Sequence, residues 1–192
     1  MLRRRIAGAA LAAILTTALA ACGADTSSTA PGGETPAPPQ TTSTGTSTTS
    51  TQTSPSVPDQ LKFTAQTVDG QSFSGDSLAG KKAVLWFWAP WCPKCRAEAP
   101  RVAAAAQATS GKVTFVGVAA QDALPAMKKF VTDYKVSGFT HLADLDAAIW
   151  TRFGVTQQPA YAFIGPDGKI DVVKQQLSES ALTERVNALT AA

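Results

Sequence analysis

The stretch "AVLWFWAPWCPKC", residues 83–95, constrains the fold more than any other. Ala83 to Ala89 are apolar without a break. A run with no polar alternation has no solvent face, so it reads as a strand buried on both sides. The strand then hands over to a helix. Pro93 suits the first position of a helix, where its missing N–H costs nothing. Cys92 then falls at or beside the helix N-cap, and Cys95 lies one turn further on. The fold must therefore contain an inner strand that hands two cysteines to the start of a helix.

The flanking sequence supplies the other layers. "LKFTAQTVDGQSFSG" reads as two short strands around an Asp69-Gly70 turn. A helix is expected from Pro93 to about Thr109, and a second buried strand over Val113 to Ala119. "DALPAMKKFVTDYK" is amphipathic, with Leu124, Met127, Val131 and Tyr134 on one face. "DLDAAIWTRFG" is a further helix closed by Gly154. "AYAFIG" and "KIDVVK" are strands joined by the turn "GPDG". "SESALTERVNAL" is a closing helix with Ser178 as N-cap. Strands alternating with helices, then a terminal hairpin, specify an α/β chain with a mixed sheet.

The N-terminal part of the 192-residue chain does not share this pattern. Residues 1–21 read as a signal peptide: Arg3, Arg4 and Arg5 precede the apolar run from Ile6 to Ala21. The run is short and Ala-rich for a membrane span. It ends in "LAAC", which resembles a bacterial lipobox. That resemblance implies cleavage before Cys22 and lipid on its sulfur and amine, which anchors the chain outside the cytoplasmic membrane. Residues 22–58 are almost wholly Thr, Ser, Pro and Gly, a disordered tether reaching roughly 30 Å. The folded domain is residues 59–192. The three arginines carry the whole excess of 17 basic over 14 acidic side chains. The remainder has no basic stripe, which sets nucleic-acid binding aside.

With Cys22 lipidated, only Cys92 and Cys95 remain in the folded part, in a compartment where disulfides persist. The helix end, with Lys94 and Arg96 beside it, should stabilise a Cys92 thiolate and hold its pKa below about 8.5. Cys92 is then the exposed attacking thiolate, and Cys95 resolves the mixed disulfide. Other readings fit less well. Zinc needs about four ligands, and the folded part offers two Cys and His141. Haem attachment needs His after the second Cys, where Arg96 stands. A Cys–His hydrolase leaves Cys95 unexplained. A structural disulfide across two residues constrains little chain entropy. His141 is expected on the surface or at a sheet end.

"VLWFWAPWCPKC" resembles the active-site strand and motif of the thioredoxin fold. Pro100 resembles its helix-kinking proline, Pro159 its cis-proline, and Gly168 a glycine of its closing hairpin. The 67 positions from Cys92 to Pro159 exceed the spacing in plain thioredoxin. The extra helix and strand over about Asp122 to Leu142, and "CRAEAP", resemble the TlpA/ResA/DsbE branch. The resemblance implies a thioredoxin-like central mixed β-sheet flanked by helices, with an N-terminal β-hairpin and an αβ insertion. It implies a redox pair Cys92–Cys95 supported by Pro93, Lys94, Trp91, Gln158 and Pro159, and no metal or other cofactor. Gln158 would present its backbone to an extended peptide. One departure matters. Thioredoxin places a buried acid six residues before its first active-site Cys, and here that residue is Trp86. Proton transfer from Cys95 then needs water or another group. Glu98 shares the helix, but a solvated face is expected for it.

Three functions follow. The chain could oxidise exported proteins, reduce apocytochrome c or other envelope thiols, or bind exported peptides without catalysis. A thiolate stabilised by Lys94, Arg96 and the helix end favours oxidation of clients. Either redox direction requires exported protein thiols or disulfides as substrate and a membrane redox partner to reset the pair.

Overall fold

The computed structural model describes residues 57–191. The segments expected to be a signal peptide (residues 1–21) and a tether (residues 22–58), with Cys22, lie outside them apart from Val57 and Pro58.

A five-stranded sheet in the order β5-β4-β3-β6-β7 forms the centre. Its members are β3 (Ala83–Trp88), β4 (Thr114–Ala119), β5 (Thr140–Ala143), β6 (Ala160–Ile164) and β7 (Ile170–Val173). β3, β4 and β5 run parallel, and β6 and β7 are antiparallel additions. A separate hairpin pairs β1 (Thr64–Gln66) with β2 (Ser72–Ser74). It joins the β5 edge through a Thr67–Leu142 bridge. Gly70, at φ 85°, makes the expected turn.

All six residues of β3 are buried, and alternation divides them between two cores. Val84, Trp86 and Trp88 face α1 (Pro93–Ala108), α2 (Leu124–Asp133) and α4 (Glu179–Ala191). Ala83, Leu85 and Phe87 face α3 (Ala148–Arg152) and the N-terminal hairpin. The alternating arrangement of aromatics follows. Trp86, Trp88, Phe130 and Tyr134 stack in series at centroid spacings of 5.7, 4.1 and 4.6 Å. Each such pair contributes about 1 kcal/mol beyond area burial.

Several expectations need correction. The buried stripe of α2 includes Phe130 with Met127 and Val131, while Leu124 and Tyr134 only flank it. Phe130 had no place in the expected face, yet it stacks on Trp88 at 4.1 Å. α3 is a short helix of five residues. Asp144 precedes it, and its two carboxylate oxygens accept the Ile149 and Trp150 N–H groups at 3.1 and 2.9 Å. Ser178 caps α4 as expected, accepting the Ala181 N–H at 3.1 Å.

His141 is not a surface residue: it is 3% exposed, in the middle of β5. Its Nε2 lies 2.8 Å from the Val136 carbonyl. A carbonyl only accepts, so Nε2 carries the proton. Nδ1 is then a lone pair, buried without a partner, as is the Trp88 indole N–H. Both sit against Gly117. A Cβ there would stand 2.1 Å from His141 Nδ1 and 2.8 Å from Trp88 Nε1. Gly117 is required for the space, since neither ring can yield inside a packed layer.

Two outcomes are expected. Gly117→Ala should lower unfolding free energy by about 3 kcal/mol, read as a fall in the urea midpoint; a midpoint equal to wild type would sink this account of the glycine. Burial also pulls the His141 pKa from 6.5 to about 4. The folded state therefore binds fewer protons between those values than the unfolded chain does. Stability from this group is complete above pH 6.5 and is lost as pH falls through 4, up to roughly 3 kcal/mol. His141→Gln should flatten that acid limb in urea melts taken across the same range.

Candidate active site

β3 ends beside the site, and the turn after it sets the first cysteine. The Cys92 N–H donates to the Ala89 carbonyl at 3.1 Å. Cys92 is the N-cap of α1, Pro93 occupies the first turn, and the Cys92 sulfur accepts the Cys95 N–H at 3.2 Å. A sulfur thus replaces the oxygen of an ordinary cap. The first N–H groups of the helix have no acceptor within it, and the one on Cys95 goes to this sulfur.

Both cysteines are free thiols. Cys95 is fully buried, as expected. Cys92 is not the exposed residue foreseen: only 3% of its surface is open. Its chain neighbours Trp91, Pro93 and Lys94 are exposed. With Cys95 closed to solvent, an approaching sulfur meets Cys92 first. Burial, then the contact with Cys92, pushes the Cys95 thiol well above the ordinary range. A proton must therefore accompany any reaction at Cys95.

Glu98 is placed to supply it. The expected solvated face is wrong: Glu98 is fully buried. It lies three residues after Cys95 on the same helix face, and its charge disfavours a Cys95 thiolate. Oε1 accepts the Trp86 indole N–H at 2.6 Å, and Oε2 is buried without a partner. Burial raises the Glu98 pKa to about 7, against the opposing effects of Trp86, Tyr161 and Arg101. The sequence did carry a sign of this. Cys95, Glu98, Ala99 and Val102 form an i, i+3, i+4, i+7 stripe, and all four are buried.

The remaining expected residues border the opening on two sides. Trp91 is 47% exposed, and its indole donates to the Gln121 carbonyl at 3.0 Å. Gln121 has φ 63°, a left-handed conformation uncommon for its type. Trp91, Arg96, Lys129, Phe130 and Tyr134 line a groove of about 310 Å³ running toward α2. Arg96 is fixed there by Nε donating to the Pro90 carbonyl at 2.9 Å. On the other side, Gln158–Pro159 is a cis peptide bond. Phe87 pairs with Ala160, so Pro159 lies beside the end of β3. The Gln158 N–H and carbonyl make no backbone hydrogen bond among the described residues. The Lys94 carbonyl accepts from Gln176 at 3.2 Å, a contact that ties the β7–α4 loop to the start of α1 and was not anticipated. Among the described residues, no group of three or more His, Cys, Asp or Glu stands in metal-binding proximity.

The chain is similar to known proteins in sequence and fold. The Redoxin family profile matches residues 45–189. The soluble secreted antigen MPT53 of Mycobacterium tuberculosis is 47% identical over 135 residues, covering 69% of this chain and 77% of that one. The thiol-disulfide oxidoreductase ResA of Bacillus subtilis is 27% identical over 133 residues, 68% of this chain and 74% of ResA. The structure of MTB dsbF in mixed oxidized and reduced forms superposes with a TM-score of 0.68 at 57% identity, covering 70% of this chain and 99% of the other. A secreted Mycobacterium tuberculosis disulfide oxidoreductase homologous to E. coli DsbE gives 0.65 at 47% identity, covering 68% and 98%. Proteins of this fold and chemistry exchange electrons through their own cysteines and need no cofactor. An inner strand delivering two thiols to a helix start, in a thioredoxin-like mixed sheet, thus agrees with these relatives: the chain belongs to the Redoxin family and is a thiol–disulfide oxidoreductase.

Proposed function

We propose that this protein forms disulfides in exported proteins through Cys92 and Cys95, from the outer face of the cytoplasmic membrane, held there by lipid on Cys22. The observation that carries the reading is the division of labour between the sulfurs. Cys92 sits at a helix N-terminus with Lys94 and Arg96 exposed nearby, while Cys95 is buried over a carboxylic acid. The helix end donates a hydrogen bond to the Cys92 sulfur, a contact that suits the reduced form and so favours taking electrons from clients.

The cycle starts from the Cys92–Cys95 disulfide. A client thiolate attacks Cys92 Sγ, and the S–S bond breaks toward Cys95. Cys95 leaves as a buried thiolate and takes the proton of Glu98. A second client thiolate then attacks the client sulfur of the mixed disulfide, and Cys92 departs as a thiolate against the helix end. Two electrons pass from the client dithiol to the protein, and the client gains one disulfide. A membrane redox partner that accepts those electrons restores the pair. The unpaired backbone of Gln158 suits an extended client segment laid along the site. MPT53, the relative above, is a soluble secreted antigen, which supports an extracytoplasmic site of action. Lipid on Cys22 adds the membrane attachment, and Cys22→Ser should release the mature protein from the membrane fraction into the medium.

The reduction potential of the soluble domain, titrated against glutathione, decides the direction. A value between about −120 and −200 mV is expected. A value near about −270 mV would reverse the direction and make the protein a reductant of apocytochrome c or similar thiols. Failure to form any Cys92–Cys95 disulfide would leave only peptide capture. Glu98→Gln should slow attack on the oxidised protein about 100-fold at pH 7. It should also abolish the decline in rate above pH 7, after correction for client thiolate. Stopped-flow tryptophan fluorescence reads both, and an unchanged rate and profile would remove Glu98 from the mechanism.

A further inference from the structure

Thiol exchange as described uses Cys92, Cys95 and Glu98, and leaves one buried polar group beside them unassigned. Tyr161 on β6 is fully buried, and its hydroxyl has no hydrogen-bond partner. Oε2 of Glu98 is buried and unpartnered as well. The sheet register explains why the two meet. Trp86 and Tyr161 are directly opposite in the antiparallel β3–β6 ladder. Their side chains leave one face of the sheet side by side, about 5 Å apart at Cβ. Glu98 descends on that pair from α1. Trp86 holds Oε1 at 2.6 Å, which leaves Oε2 as the oxygen still open to the Tyr161 hydroxyl. The two groups do not meet hydrogen-bond geometry in this arrangement, yet the hydroxyl is close enough to favour the Glu98 carboxylate.

Donor chemistry then decides where the proton of the acid resides. An indole N–H only donates. Oε1 is thus an acceptor in both states, and the proton binds at Oε2. A phenol hydroxyl both donates and accepts. By turning about its C–O bond it can donate to Oε2 of the carboxylate and accept from Oε2–H of the acid. Phenylalanine at this position could do neither. The titratable and charged groups that face the carboxyl are Cys95 and Arg101 on α1 and Tyr161 on β6. β3 contributes Trp86, while α2 and α4 contribute apolar side chains to this layer, among them Phe130, Leu182 and Val186.

We propose that Tyr161 is the positioning residue for proton exchange at the buried sulfur: it orients Oε2 of Glu98 and stabilises the carboxylate left when that proton moves to Cys95. The proton leaves Glu98 Oε2 and arrives on Cys95 Sγ, and returns by the same route in the reverse step. Tyr161 keeps its own proton, and no sulfur bond changes at it. The proposal rests on the exchange reading above for its purpose, but its physical content is the titration of Glu98.

The test reads that titration directly, by the carboxyl carbon resonance of Glu98 in the reduced protein without any client. Tyr161→Phe should move the Glu98 midpoint upward by about one pH unit, through loss of the hydroxyl that turns to donate to the carboxylate once Glu98 is charged. The alkaline decline of the exchange rate should move with it. In a Glu98→Gln background, Tyr161→Phe should leave the rate profile unmoved, which a merely structural role would not predict. Tyr161→3-fluorotyrosine keeps the hydroxyl and makes it a stronger donor, so it should move the midpoint downward, and it serves where the phenylalanine variant fails to fold. A Glu98 midpoint unmoved by either substitution overturns the proposal. A moved midpoint with no thiol exchange would instead overturn the functional reading and leave this one standing.

Discussion

The burial of β3 on both faces is the constraint on which the rest of this molecule depends. Six consecutive side chains are removed from water, and none can be satisfied by a sheet open to solvent on one side. Helices must cover one face, and α3 with the N-terminal hairpin must cover the other. That demand also sets the site. The strand can end only where a turn leads out of the core, and the turn delivers Cys92 to the first N–H groups of α1. The position of the reactive sulfur is therefore a by-product of how the core is closed.

The same closure settles where an acid can stand. Beneath the second cysteine, thioredoxin takes its carboxyl from the strand. Here the strand position is Trp86, too large to share its space with a second buried group. The carboxyl comes from the opposite side of the same layer, as Glu98 on α1, and the tryptophan that displaced it supplies its hydrogen bond. Exchanging the two partners across a helix–sheet interface preserves a buried acid near Cys95 while the chemistry of each chain segment changes. A reading confined to the strand position would conclude that the acid had been lost.

Most of the architecture was legible because it rests on patterns that operate within one element. The apolar run 83–89, the Pro93 helix start, the Asp69-Gly70 turn and the strand pair after Pro159 all state their own conformation. The errors concern contacts between elements. Glu98 carries a charge, and charge alone suggests water; its place on the Cys95–Val102 stripe argued the opposite, and packing decided for the stripe. His141 gave no periodic signal, because its burial depends on the absence of a side chain at Gly117 on the neighbouring strand. Phe130 was passed over on α2 for the same kind of reason: its partner, Trp88, is 42 positions earlier in the chain. The place of Cys92 at the helix start, one turn before the deeper Cys95, suggests exposure, but the side chain is nearly covered while its neighbours Trp91, Pro93 and Lys94 are exposed.

Glu98 also shows what such a site does to stability. Its pKa is raised by burial from 4.5 to about 7, so the folded state binds more protons than the unfolded chain between those values. Stability from this group is complete below pH 4.5 and declines as pH rises through 7. At neutral pH the group is close to half charged and works against the fold. His141 acts in the opposite sense, weakening the fold only on the acid side. The two burials bound a window of pH from both ends, but they differ in kind. His141 is neutral under ordinary conditions and its cost is latent. Glu98 is expressed at the pH where the protein acts, and a glutamine of the same shape would avoid it. What the glutamine could not do is hold and release a proton near neutrality beside a thiol whose ionisation burial opposes. The stability lost at Glu98 and the proton available to Cys95 are the same property of one buried carboxyl, and neither can be tuned without the other.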